Sequence, residues 1–157
     1  MHSKIYQISL KPLEKEDYLK PSDLYENSQD FADYIGDEFE GDSRIECIEY
    51  LSECLSEFFD YVGNGTLLYK GMGDFLTDWV EQIKLLADSI TPENVLKELN
   101  LYYLSSVTEK THKNMSSRFY IEDYNCFAGP LSDLVEFLAT RKEGEKIYVG
   151  SVIDYHF

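Results

Sequence analysis

The feature that most constrains this sequence is a run of carboxylates between residues 21 and 60. This segment holds thirteen aspartates and glutamates and a single basic residue, Arg44, so it carries a net charge of −12 out of −16 for all 157 residues. Unpaired charges are almost never buried. The apolar residues of the segment must therefore face inward while the carboxylates face outward, which predicts elements with one acidic, solvent-facing side.

Apolar spacing within the acidic segment predicts two helices. The first is expected over residues 22–35, with Ser22 as its N-cap, and the second over residues 43–62, with Ser43 opening a capping box. Residues 36–42 are expected to form a short acidic turn that sets the two helices antiparallel. The carboxylates predicted to form one outward-facing anionic surface are Asp23, Glu26, Asp30, Asp33, Asp37, Glu38, Glu40, Asp42, Glu46, Glu49, Glu53, Glu57 and Asp60.

The rest of the chain predicts an α+β fold, with four to five helices packed on a small antiparallel sheet that includes the N- and C-terminal strands. Strands are expected over residues 4–10, 118–122 and 146–157 because apolar and polar residues alternate there. Helices are expected over residues 74–90, from Thr91 onward, and after Pro130. Residues 66–70 fit either a short strand or a loop, and residues 105–117 are expected to be a loop.

Composition indicates one compact domain over residues 1–157. The apolar fraction of 43% is enough to build a core, so the charge does not imply disorder. The three cysteines are an odd number without a close pair, which argues against a disulfide framework. The sequence has neither a signal peptide nor an apolar run long enough to span a membrane. We therefore expect a soluble cytoplasmic protein.

The motifs that usually carry chemistry are not found in the sequence. The three histidines and three cysteines lack the spacing of metal ligands, so no metal and no cofactor is expected. An EF-hand with Gly41 at its sixth position would put Gly36 and Cys47 where carboxylates belong. The sequence therefore favours a non-enzymatic protein. An enzyme with an unrecognised carboxylate and histidine site, for example around Asp154 and His156, stays open as an alternative.

The charge distribution suggests which partner the chain binds. A net charge of −16 opposes direct binding to nucleic acids and to anionic membrane surfaces. It favours a basic protein surface, either that of a DNA- or RNA-binding protein, which the acidic face would inhibit by mimicking nucleic acid, or that of a cationic toxin. A general adaptor for protein–protein contacts is a further alternative. The oligomeric state does not follow from the sequence.

Overall fold

The computed structural model describes residues 1–24, 31–97, 100–110 and 115–157. The chain divides into two compact units. The first, called the sheet unit, comprises Met1–Gly71 and Ser116–Phe157, and the second, called the helical unit, comprises Met72–Met115. The single domain expected from the sequence stays a prediction.

The sheet unit contains a mixed sheet of six strands among the described residues. These are β1 (His2–Ser9), β2 (Tyr34–Glu38), β3 (Phe59–Gly63), β4 (Thr66–Tyr69), β5 (Arg118–Ile121) and β6 (Lys146–His156). The strand order is β3-β4-β6-β1-β5, and β2 pairs with β6 beside this path. The N- and C-terminal strands pair antiparallel, as predicted, while β1 and β5 run parallel.

Five α-helices complete the described structure, which confirms the α+β class. The sheet unit contains α1 (Pro21–Leu24), α2 (Gly41–Cys54) and α5 (Leu131–Ala139), together with a short 3-10 helix at Lys15–Asp17. The helical unit contains α3 (Phe75–Asp88) and α4 (Asn100–Lys110). The strands expected at 4–10, 118–122 and 146–157 and the helix expected at 74–90 are confirmed within a few residues.

The sheet unit is buried on both faces of β1, because successive side chains of a strand point to opposite sides. Ile5 packs in a cluster with residues from α1, β2 and β6, including Leu24, Ile35 and Ile153. Tyr6 points the other way, and its hydroxyl donates a hydrogen bond to the Cys47 carbonyl at 3.2 Å. The helix α2 therefore lies on the Tyr6 face of the sheet.

The first predicted helix is wrong beyond its first turn. Helical structure covers Pro21–Leu24, and Tyr34–Glu38 is a strand rather than a helix end followed by a turn. Ile35 and Gly36 are buried, and Tyr34 and Ile35 pair with His156 and Tyr155 of β6. This long-range pairing overrides the local helical spacing. Residues 25–30, which fall within the predicted helix, lie outside the described residues.

The second predicted helix is too long, because its last residues form a strand. The helix ends at Cys54, and Phe59–Gly63 pairs with Thr66–Tyr69 as β3 and β4. The turn between them contains Asn64 and Gly65, both at positive φ. Asn-Gly is the strongest short-range hairpin signal, which explains why residues 59–69 form a hairpin and do not continue the predicted helix. Residues 66–70, for which the sequence fits either a short strand or a loop, contain the strand β4.

The second helix of the helical unit also differs from its prediction. The segment from Thr91 to Lys97 forms turns, and α4 begins at Asn100 and continues to Lys110. The predicted loop at 105–117 is therefore helical in its first half. The proline after Thr91 is compatible with a turn as well as with a helix start, which explains the misplacement.

A buried glutamine organises the centre of the sheet. The register of β1 against β6 shifts between Tyr6 and Ile8, so Gln7 lies opposite a bulge in β6. Its Oε1 atom accepts hydrogen bonds from the backbone N–H of Leu19 at 2.9 Å and of Ser151 at 3.0 Å. Its Nε2 atom donates to the Asp17 carbonyl at 2.9 Å. Gln7 thus joins β1, β6 and the segment that leads to α1.

Candidate functional site

Four carboxylates form a row along the outer side of α2. At 100° per residue, the side chains of Asp42, Glu46, Glu49 and Glu53 fall within an arc of about 60°, and all four are exposed. Ile48 on the opposite side is fully buried. We call these four residues the acidic row. The buried inner side of α2 fixes the orientation of the helix and therefore the outward direction of the row.

The single cation of the acidic segment does not neutralise the row. The Arg44 Nε atom donates to the Gly150 carbonyl at 2.6 Å, and its Nη2 atom donates to the Val149 carbonyl. The guanidinium also lies 5.1 Å from the centroid of the Tyr18 ring. Arg44 is thus committed to the backbone of β6. Among the described residues, no lysine or arginine comes within 4.0 Å of a carboxylate of the acidic row.

The place that Arg44 occupies is a gap in the sheet. On one edge of β6, the pairing with β4 ends at Tyr148 and the pairing with β2 begins at Ile153. The two carbonyls bound by Arg44 lie between these paired stretches. Buried backbone carbonyls need a donor, and the forked guanidinium supplies two. Arg44 therefore points into the sheet because these carbonyls need its hydrogen bonds.

The acidic residues at the end of β2 and at the start of α2 line two cavities. One cavity of about 400 Å³ is lined by Glu38, Glu40 and Asp42 from the end of β2 and the start of α2. A second cavity of about 490 Å³ adds Asp37. Tyr18 and Lys15 line both cavities. Negative charge thus continues from the acidic row to β2.

A lysine partly balances this second group of carboxylates. Lys15 Nζ donates to Glu40 Oε1 at 3.0 Å, and this hydrogen bond raises the pKa of Lys15. Both side chains are more than two-thirds exposed, with relative areas of 77% and 70%, so the pair contributes little to stability. A competing cation could displace Lys15 at little cost.

Sequence reasoning missed the aromatic residues beside the carboxylates. Tyr50 is 55% exposed and lies next to the acidic row on α2. The Lys4 ammonium lies 5.5 Å from the centroid of its ring and 5.9 Å from that of Phe39. A hydrogen bond with Cys54 raises the pKa of Tyr50. The helical spacing of Tyr50, four residues after Glu46, was the signal that could have placed it there.

The structure separates the other predicted site residues from the acidic row. Asp23 lies in α1 and accepts the backbone N–H of Lys20 at 2.9 Å. Asp33 lies 3.8 Å from His156 Nδ1, and Asp60 of β3 lies 3.2 Å from Lys70 Nζ. Glu57 is half-buried in the turn after α2. Glu26 and Asp30 lie outside the described residues.

His2 and His156, which bear on the enzyme alternative, lie opposite each other at one end of the sheet. His2 Nδ1 lies 2.9 Å from Asp154 Oδ2, and the ring centroids of His2 and His156 are 5.3 Å apart. Neither of the two cavities described above is lined by a histidine. Within the described ranges, no group of three or more histidine, cysteine, aspartate or glutamate residues could hold a metal ion. His112 falls outside those ranges.

Comparison with family models, with curated proteins and with solved structures found no match to this chain. None of the helices in the described part of the chain is both long enough and apolar enough to cross a membrane. The functional conclusion therefore rests on the geometry of the acidic row and its surroundings.

Proposed function

We propose that this chain is a non-enzymatic acidic protein that binds a basic surface of a partner protein through the acidic row. One observation carries the proposal: four exposed carboxylates share one side of α2, while Arg44 is turned into the sheet. Surfaces that only need to be soluble usually mix lysine and arginine with the carboxylates. A segregated anionic surface steers cationic partners toward it and favours their docking.

In its more specific form, the proposal is nucleic-acid mimicry that inhibits a DNA- or RNA-binding protein. The acidic row has about one carboxylate per 5.5 Å of helix, whereas duplex DNA has one charge per ~1.7 Å of axis. The row alone is therefore sparser than a duplex, and Asp37, Glu38 and Glu40 around the cavities would have to contribute. A toxin-neutralising protein or an adaptor would use the same surface against a different basic partner.

The proposal places this binding in the cytoplasm. Cys47 is buried, Cys54 is half-buried and Cys126 is exposed, and none of the three forms a disulfide bond. Cysteines without disulfide bonds are typical of reducing compartments. An exposed thiol such as Cys126 would be liable to oxidation outside the cell.

The test is a charge reversal of the row. The triple variant Glu46→Lys, Glu49→Lys, Glu53→Lys changes the net charge from −16 to −10. The matched control Asp74→Lys, Asp78→Lys, Asp88→Lys gives the same net charge and alters exposed residues of the helical unit. Binding to a fluorescent octa-arginine peptide should weaken at least about tenfold in the first variant, a loss of about 1.4 kcal/mol, and much less in the control.

Two results would remove the proposal. Equal loss of binding in both triple variants would mean that net charge alone attracts the peptide. Binding to the unchanged chain that does not weaken between low and physiological salt would contradict an electrostatic contact between exposed charges. Circular dichroism of each variant shows whether the fold is intact.

The mimicry form needs a separate measurement. A basic nucleic-acid-binding protein encoded beside this chain is first bound to a labelled duplex, and the chain is then added. Release of the duplex, followed by fluorescence anisotropy, supports mimicry if the α2 triple variant fails to release it. A ternary complex that retains the duplex would leave partner binding in place and exclude mimicry.

A further inference from the structure

The cavity of about 400 Å³ lies between the segment before α1, the end of β2 and the start of α2. Its volume falls within the range of roughly 300–1,000 Å³ that ligand pockets occupy, so it has room for one long side chain. We call it the Tyr18 cavity. Its walls include two aromatic residues and three carboxylates, namely Tyr18, Phe39, Glu38, Glu40 and Asp42.

Hydrogen bonds to the sheet fix the backbone on both sides of the Tyr18 cavity. On one side, the N–H of Leu19, next to Tyr18, donates to Gln7 Oε1 at 2.9 Å. On the other side, the N–H of Phe39 donates to the Val152 carbonyl at 2.8 Å. The backbone around the cavity is therefore positioned before a ligand binds, which lowers the cost of binding.

The aromatic residues of the Tyr18 cavity already contact positive charges of the chain itself. The Arg44 guanidinium lies 5.1 Å from the centroid of the Tyr18 ring. The Lys4 ammonium lies 5.9 Å from the centroid of the Phe39 ring. Both distances are within the range of cation–π contacts. These contacts indicate that the ligand suited to the cavity is a cation.

A third cation of the chain lies at the carboxylates of the Tyr18 cavity. Lys15 Nζ donates to Glu40 Oε1 at 3.0 Å, and both side chains are mostly exposed. An exposed ion pair of this kind contributes little to stability, so Lys15 is easily replaced. Within the described ranges, neither Glu38 nor Asp42 has a lysine or arginine nitrogen within 4.0 Å.

The chemistry of the Tyr18 cavity favours arginine over lysine as the ligand. A guanidinium is planar, donates to two carboxylate oxygens at once and stacks on aromatic rings, whereas an ammonium is a compact, strongly hydrated charge. We propose that the Tyr18 cavity binds one arginine side chain of the basic partner, and that this guanidinium replaces Lys15 at Glu40. The proposed function is a premise of this assignment, which names the side chain that the partner contributes.

Lys15 then acts as a competitor within the chain. An arginine of the partner reaches Glu40 only after Lys15 has left, so a chain without Lys15 should bind the partner more tightly. The exchange replaces one positive charge by another and leaves the total charge of the cavity unchanged. Only a ligand that forms more contacts than Lys15 displaces it, which is a source of specificity.

Nuclear magnetic resonance with a single arginine tests the Tyr18 cavity directly. N-acetyl-arginine amide is titrated into the full ¹⁵N-labelled chain, and N-acetyl-lysine amide is the control of equal charge. The backbone amide signals of Tyr18, Glu40 and Gly41 should shift most with the arginine compound, and at least about threefold less with the lysine compound at the same concentration. Equal shifts with the two compounds, or larger shifts elsewhere in the chain, would contradict the arginine site.

A double-mutant cycle tests the exchange at Glu40. Lys15→Ala should tighten the binding of fluorescent octa-arginine at least about threefold. Lys142→Ala makes the same change of net charge at an exposed residue that lines neither cavity, and should tighten binding much less. Glu40→Gln should weaken binding, and in its background Lys15→Ala should have no more effect than Lys142→Ala. Additive effects of Lys15→Ala and Glu40→Gln would overturn the exchange.

The proposed function and the arginine site can fail independently. The α2 triple variant tests the acidic row, whereas a single arginine and the Lys15 variants test the Tyr18 cavity. Octa-arginine binding that is lost in the triple variant, together with unshifted cavity signals, would keep the proposed function and overturn the arginine site. Shifted cavity signals, together with octa-arginine binding that survives the triple variant, would support the arginine site and overturn the proposed function.

Discussion

The sheet unit and the helical unit differ in net charge and in how much apolar side chain they bury. Every buried hydrophobic residue of the described structure except Phe75 belongs to the sheet unit, which also carries a net charge of −13. The helical unit carries a net charge of −3 and exposes large apolar side chains, among them Leu76, Val80 and Leu85. A unit with a large core can carry a crowded anionic surface, whereas a unit with a small core is left with apolar residues at its surface.

The sharpest test of this contrast is the same substitution in each unit. Leu67→Ala removes a fully buried side chain from β4 and should lower the free energy of unfolding by about 3 kcal/mol. Leu85→Ala removes a side chain that is 64% exposed and should change it by less than about 0.5 kcal/mol. Urea unfolding followed by circular dichroism measures both changes in the free energy of unfolding. Similar losses in the two variants would contradict the difference in core size between the units.

The same experiment tests the single-domain prediction. Trp79 is the one tryptophan of the chain and lies in the helical unit. If both units unfold together, the fluorescence and circular dichroism transitions coincide, and Leu67→Ala shifts both. A fluorescence transition whose midpoint is not shifted by Leu67→Ala would show that the units unfold separately.

A somewhat smaller effect is expected from the buried polar centre of the sheet unit. Gln7→Ala leaves the backbone N–H groups of Leu19 and Ser151 without their acceptor and should cost about 2 kcal/mol. Gln82→Ala, the matched change at an exposed position of α3, should cost less than about 0.5 kcal/mol. Equal unfolding midpoints for the two variants would mean that water replaces the Gln7 side chain.

The smallest effect at neutral pH comes from Tyr6, whose contribution to stability falls in alkali. Burial raises the pKa of the Tyr6 hydroxyl well above its ordinary value of 10.0. Above pH 10 the unfolded chain releases this proton while the folded chain keeps it. The stability contributed by Tyr6 is complete below pH 10 and falls by up to about 1.4 kcal/mol per pH unit above it.

Replacement of Tyr6 isolates this contribution. Tyr6→Phe should cost about 1 kcal/mol at pH 7 through loss of the hydrogen bond to Cys47, and should flatten the decline above pH 10. Phe119→Leu, which changes the ring stacked on Tyr6 at 6.0 Å, should lower stability but leave the slope unchanged. An identical slope in the two variants would contradict the burial of an ionisable hydroxyl at this position.

Much of the fold could be predicted because its main strands and helices have strong local patterns. The strands β1 and β6 alternate, and α3 and α5 carry wide apolar stripes, so both the class and the pairing of the terminal strands followed from the sequence. The errors fall on β2, on β3 and on the bounds of α4. Ile35 is buried by pairing with β6, which lies more than a hundred residues further along the chain. Local spacing carries no information about such pairing.

The candidate site was predictable only in part for the same reason. The spacing of Glu46, Glu49 and Glu53 was enough to place them on one side of α2. Asp33 and Asp60 are separated from that row because residues 34–38 and 59–63 form strands. The apolar spacing of these residues predicted helices instead. The inward turn of Arg44 depends on a gap between β2 and β4, which exists only in the assembled sheet.

The gap closed by Arg44 also bears on aggregation. An unpaired stretch of strand is a template on which a foreign strand can add, and proteins usually protect such edges with charges, bulges or covering elements. Here the vulnerable stretch lies along the central strand β6, and a single side chain protects it. We therefore expect the one positive residue of the acidic segment to keep other chains from adding a strand at this gap.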